Sequence, residues 1–75
     1  MDTEMEDAGE LEDTVDFLLS RIELYCQLAM GARALSGRER DAGELAVARV
    51  WLRRGISHER KVIALARKLA AVTAP

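Results

Sequence analysis

The stretch LEDTVDFLLSRIELYCQLAMGARAL, residues 11–35, decides the fold. Leu11, Val15, Leu18, Ile22, Tyr25, Ala29 and Ala32 follow one another at steps of four and three. Only a helix puts side chains at those steps on one face. Leu19 and Cys26 widen this seam by one row. Phe17, Leu24, Leu28 and Leu35 make a second apolar stripe, also at helical spacing. The polar face that remains is narrow: Asp13, Asp16, Glu23, Gln27 and Arg33. A helix with one apolar stripe packs on one layer, whereas two stripes call for partners on two sides. No proline interrupts the stretch. Gly31 weakens it by about 1 kcal/mol relative to alanine. The pattern predicts a helix over about residues 8–35, roughly 42 Å long.

Upstream, residues 1–6 are acidic and lack an apolar period, which predicts a flexible tail ahead of one domain spanning 7–75. Asp7-Ala8-Gly9-Glu10 has the form of a capping box at the start of the first helix. Downstream, Ser36-Gly37 reads as its stop, with Gly37 as a left-handed C-terminal residue. The string Asp41-Ala42-Gly43-Glu44-Leu45 then repeats Asp7-Ala8-Gly9-Glu10-Leu11 at an offset of 34. Between residues 7–35 and 41–69 there are ten identities in 29 pairs, so a duplicated helical unit stands beside shared composition as an explanation.

The repeated string predicts a second helix over about 41–54, with Leu45, Ala48, Leu52 and Ile56 on its inner face. At Arg53-Arg54-Gly55-Ile56-Ser57 two readings stay open. Gly55 ends the second helix and Ser57 caps a third over about 57–72, or one kinked helix runs through. Val62, Leu65, Leu69 and Val72 form the last apolar seam. The expected fold is all-α: a small helical bundle of a long first helix against two antiparallel ones, or a helical hairpin if those two are continuous.

Seventy-five residues form one domain. A chain of this size buries only about 60% of its unfolded surface, so small domains lean on disulfides, metals or association. The one cysteine excludes an intrachain disulfide, and one His with one Cys leaves few metal ligands. Association is the remaining remedy. No apolar run is long enough to span a membrane, and the acidic start lacks the positive region of a signal peptide, so a cytoplasmic location is expected.

Charge is unevenly spread. Residues 1–37 carry nine acids against two arginines, net −7, and residues 38–75 carry nine basic residues against four acids, net +5. Either the halves attract each other in the folded chain, or the basic half faces an anionic partner.

Candidate chemistry is sparse. His58 is the only imidazole and no nucleophile or carboxylate accompanies it at useful spacing, so a surface or capping role is expected. Cys26, beside the seam, reads as a buried structural thiol. No catalytic, cofactor or metal site is expected, and no small-molecule substrate. Trp51 is either a core anchor or, flanked by Arg49, Arg53 and Arg54, part of a partner surface. The basic set Arg49, Arg53, Arg54, Arg60, Lys61, Arg67 and Lys68 has the charge to contact phosphates. Gly55-Ile56-Ser57 has the look of a helix-turn-helix turn. Lys61, however, stands where a recognition helix buries an apolar side chain. A pI near 5.3 also opposes a dedicated nucleic-acid binder.

Phe17-Leu18-Leu19-Ser20-Arg21-Ile22-Glu23-Leu24-Tyr25, Ala34-Leu35-Ser36-Gly37 and Glu44-Leu45-Ala46-Val47-Ala48-Arg49 loosely resemble the C-terminal helices of long-chain acyl-CoA dehydrogenases. The resemblance implies a helical appendage without catalytic activity, since the flavin-binding body of that family has no room here. The main expectation is a non-enzymatic interaction or assembly module: a small subunit, adaptor or regulator. It forms a homodimer through the apolar faces of the first helix, with Phe17, Leu24, Leu28, Leu35 and Trp51 as interface residues, and engages a further protein. A nucleic-acid-binding regulator is the alternative.

Overall fold

The computed structural model describes residues 3–75, and the side chains of residues 9–75. It contains two helices, α1 over Thr3–Asp41 and α2 over Leu45–Thr73. They pack side by side as an antiparallel hairpin measuring 64 × 16 × 13 Å. The radius of gyration is 17.7 Å, against about 11 Å for a compact domain of this length. Among the described residues the molecule is one layer of two rods, and no third element covers their outer sides.

The hairpin replaces the expected three-helix bundle, and each difference has a local cause. The first helix does not stop at Ser36-Gly37. Gly37 stays helical, and the Ser36 hydroxyl donates across to the Ala48 carbonyl at 2.7 Å, tying the two helices together. The stop comes at Gly43, which takes φ +82°. There Glu44 N–H donates to the Glu39 carbonyl at 2.8 Å and Gly43 N–H to the Arg40 carbonyl at 3.0 Å. This is the Schellman arrangement, in which a left-handed residue turns the chain back onto its last carbonyls. Asp41-Ala42-Gly43 therefore ends α1, and no capping box opens the next helix. Glu44 is the N-cap of α2, with no side-chain cap bond.

At the other end, α1 is already helical from Thr3, upstream of the expected Asp7 cap. The flexible tail expected over residues 1–6 falls outside the described residues at Met1 and Asp2, and for its side chains throughout.

Gly55 breaks nothing: α2 runs straight through it. It is buried where the helices come closest. A Cβ built there would stand 3.3 Å from Arg33 Cγ, 3.5 Å from the Ala29 carbonyl oxygen and 3.6 Å from Ala32 Cβ. Absence of a side chain serves close approach at this position. Continuity of α2 also removes the helix-turn-helix reading of Gly55-Ile56-Ser57.

The α1 seam is as the spacing predicts over most of its length. Leu18, Ala29 and Ala32 are buried and Val15, Ile22 and Tyr25 half-buried, while Leu11 is exposed. The α2 seam differs only in its first half, and Val62, Leu65, Leu69 and Val72 are half-buried as the spacing predicts. Ala48, Trp51, Gly55, His58, Val62, Leu65, Leu69 and Val72 form it at alternating steps of three and four, the pattern of a coiled-coil pair, and Ile56, expected inside, and Glu59 are half-buried beside it. Leu45 and Leu52, expected inside, are exposed. Seam residues of α1 thus correspond to those of α2 at an offset of 33, one residue away from the offset of the repeated string. Leu18 is buried and its counterpart Leu52 is not, so the repeat does not describe two equivalent helices in the fold.

Candidate interaction face

The two grooves and the ring contacts sort the exposed side chains into two broad faces. On the grooved face, Cys26, Met30 and Arg33 of α1 meet Glu59, Val62 and Ile63 of α2. Nearer the turn, Arg33, Gly37 and Arg40 face Leu45, Arg49 and Leu52. A forked ion pair crosses between the grooves: Arg33 Nε donates to one Glu59 oxygen and Arg33 Nη2 to the other at 2.9 Å. The hydrogen bond from Arg33, aided by its charge, holds the Glu59 carboxyl below its ordinary value, and Glu59 raises Arg33 in turn. Both side chains remain about half-exposed, so solvent screens the pair. Cys26, expected to be buried, is exposed on this face.

The opposite face carries all three aromatic residues, each beneath a cation. Arg21 lies 5.3 Å from the Phe17 ring centre, Lys61 5.0 Å from Tyr25 and Arg54 4.9 Å from Trp51. Such contacts keep aromatic rings and cations together at partly wet surfaces. Tyr25 also stacks on His58, with ring centres 5.9 Å apart and planes at 26°. His58 was expected at the surface as a cap. It occupies a seam position, and its Nδ1 is buried without a hydrogen-bond partner. The spacing alone could have revealed this, because His58 falls three residues after Gly55 and four before Val62.

The sequence-predicted stripe lies along this aromatic face. Phe17 is 57% exposed, Leu24 41% and Leu28 42%, while Leu35 is half-buried. Trp51 is half-buried against α1, partly anchor and partly surface. Val47 and Val50 add apolar surface from α2. The basic residues Arg49, Arg53, Arg54, Arg60, Lys61, Arg67 and Lys68 are all exposed. They do not gather into one patch. Arg54, Lys61 and Lys68, seven residues apart, run down the aromatic side of α2, and the others spread over its back and far flank. Sequence reasoning missed Leu45 and Leu52 as surface groups, because it placed the first half of the α2 seam out of phase, and it assigned no role to the exposed Met30 and Ile63.

The two charged halves do not neutralise each other within the chain. Among the described residues one ion pair joins the helices, Arg33 with Glu59, and it pairs an α1 cation with an α2 acid. Glu10, Glu12, Asp13, Asp16 and Glu23 of α1 and the cations of α2 are exposed. Among the described residues no three His, Cys, Asp or Glu side chains stand together as a metal site, and no helix is long and apolar enough to cross a membrane. Comparison with known proteins finds no matching family, no matching curated protein and no matching solved structure.

Proposed function

We propose that the protein is a non-enzymatic helical assembly module, a small subunit or adaptor that works by pairing with a second copy through the aromatic face of the hairpin. One observation carries this reading: the surface left bare. The chain exposes 5924 Å², whereas a globular monomer of 8.3 kDa exposes about 4,600 Å². The surplus of about 1,300 Å² per chain is about 2,600 Å² for two, within the range that obligate homodimers bury. Two layers of two helices make a four-helix bundle, the architecture in which a two-stripe helix finds both its partners. The aromatic face is favoured over the grooved one because Trp, Tyr and Arg dominate binding energy at interfaces. The Arg33–Glu59 strap, in contrast, leaves the grooved face polar at its centre.

Light scattering after size exclusion at micromolar concentration tests this. A dimer or larger species is expected, and an 8.3 kDa monomer overturns it. Leu24→Glu on the aromatic face shifts the equilibrium toward monomer, whereas Met30→Glu, 72% exposed on the grooved face, leaves it in place.

The nucleic-acid reading keeps one supporting feature, the seven exposed cations of α2. Their spread around the helix gives no continuous track for a phosphate backbone. A gel shift that strengthens as salt falls and is lost in an Arg53→Ala/Arg54→Ala/Lys61→Ala variant would turn the assignment to it.

A further inference from the structure

Two hairpins can stack their aromatic faces about a twofold axis in two ways. With the axis across the hairpin, α1 lies on the partner's α1 and α2 on the partner's α2. With the axis along the hairpin, α1 lies on the partner's α2; in both arrangements every neighbouring pair of helices is antiparallel. Apolar contact does not choose between them, since either arrangement covers Phe17, Leu24 and Leu28.

Charge does choose. Helix α1 carries ten acids and four arginines, while α2 carries seven basic residues and one acid, Glu59, which Arg33 already occupies. On the aromatic face itself, α2 presents Arg54, Lys61 and Lys68 at seven-residue steps, and Lys61 is fixed to that side by its contact with Tyr25. Glu10 and Asp13 precede Phe17 by seven and four residues and share its flank of α1. The crosswise axis sets the Arg54-Lys61-Lys68 row against its own copy. The lengthwise axis sets it against α1, whose same flank bears Glu10 and Asp13 toward the open end and one cation, Arg21, over Phe17. Within the hairpin, level positions are given by Ser36 with Ala48 and Tyr25 with His58. Carried to the next layer, the same register brings Lys68 level with residues 15 and 16 of α1, within one helical turn of Asp13.

We propose that the second copy docks with its basic α2 on the acidic α1, about a twofold axis parallel to the long axis of the hairpin. This deepens the assembly reading above and rests on it. Charge fixes the register and orientation of the copies, while the apolar side chains hold them together.

Reciprocal charge exchange tests the arrangement. One variant carries Glu10→Lys and Asp13→Lys; the other carries Arg54→Glu, Lys61→Glu and Lys68→Glu. All these positions are exposed, so the hairpin itself should fold, and circular dichroism verifies its helicity. Pairs of chains are mixed at low salt and their dimers weighed by native mass spectrometry. Like charges facing each other oppose assembly, so each variant alone dimerises weakly and the two together form heterodimer about tenfold over either homodimer. The preference fades as salt screens it. If the Arg54/Lys61/Lys68 variant instead prefers the unmodified chain, the helices pair like with like. If all mixtures are statistical, charge does not orient the copies. Either result overturns the arrangement while leaving a dimer. An unmodified chain that stays monomeric overturns the arrangement and the assembly reading together.

Discussion

The two ends of the hairpin are built differently. Near the turn the seam holds Ala29, Ala32, Ala48 and Gly55, all buried. Toward the open end it holds Val15, Ile22, Val62, Leu65, Leu69 and Val72, all only half-buried, with Leu18 alone fully inside. The smaller side chains are therefore the better buried. Small residues let two backbones approach until each covers the other, so the turn end closes its seam with two helices. Large residues hold the helices apart and overhang the seam, and a single partner rod cannot enclose them. The turn end packs more tightly along its seam, although Trp51 there is half-buried and Leu45, Val47, Val50 and Leu52 stay exposed beside it. The open end is less well enclosed even at its seam, and its exposed Phe17 and Leu24 continue the deficit outward.

The sharpest way to break this contrast is Gly55→Leu. If Gly55 were only a flexible joint, a leucine would strengthen α2 by about 1 kcal/mol through helix propensity. Because the site faces Arg33, Ala29 and Ala32 at contact distance, overpacking wins and the hairpin loses about 3 kcal/mol. Denaturant unfolding gives the sign directly, and a gain in stability would show that the helices do not close on Gly55.

His58 marks the boundary between the two halves, and its replacement gives a smaller effect of opposite sign. A buried ring nitrogen without a partner is a desolvation loss. His58→Leu keeps the bulk of the ring beside Tyr25 and removes the unpaired atom. The melting temperature should rise, by the equivalent of about 1 kcal/mol. A fall would mean that the stacked Tyr25–His58 pair contributes more than the orphaned nitrogen takes away.

The smallest effect belongs to Arg33 and Glu59, the strap over the turn-side half. Glu59 is held below its ordinary value of 4.5 by the Arg33 hydrogen bond, so its contribution is complete above that value. As pH falls through the lowered folded value, Glu59 takes up a proton and the contribution is lost. Arg33, raised from an already high value, stays charged throughout. Melting curves of the unmodified chain and of Glu59→Gln should therefore converge as pH is lowered progressively below 4.5. A constant gap between them would show that the fork carries no net stability.

Much of this was legible in the residues. The period of Val15, Leu18, Ile22, Tyr25, Ala29 and Ala32 gave the α1 seam directly, because six large or small apolar groups at helical steps admit no other reading. The bare stripe of Phe17, Leu24 and Leu28 was legible for the same reason. The α2 seam was less so. Its true positions include Gly55 and His58, residues that hydrophobic periodicity skips, and the eye is drawn instead to Leu45 and Leu52, which face outward. Cys26 went wrong in the same manner: an apolar-like residue beside a seam is buried only if something lies on that side, and in a single two-helix layer nothing does.

The sequence by itself determined that the chain is helical, which side of α1 faces its neighbour and how charge divides along it. Those properties follow from local periodicity and composition. Only the tertiary structure decided what the glycines do. Gly37 and Gly55 both carry the marks of a helix end, and Gly43 carried those of a helix start. A glycine is permissive toward a left-handed turn and toward a close contact alike, and nothing in its immediate neighbours says which. Gly43 takes the turn because the Glu39 and Arg40 carbonyls need donors there. Gly55 stays helical because α1 lies against it, and that contact exists only once the chain has folded back.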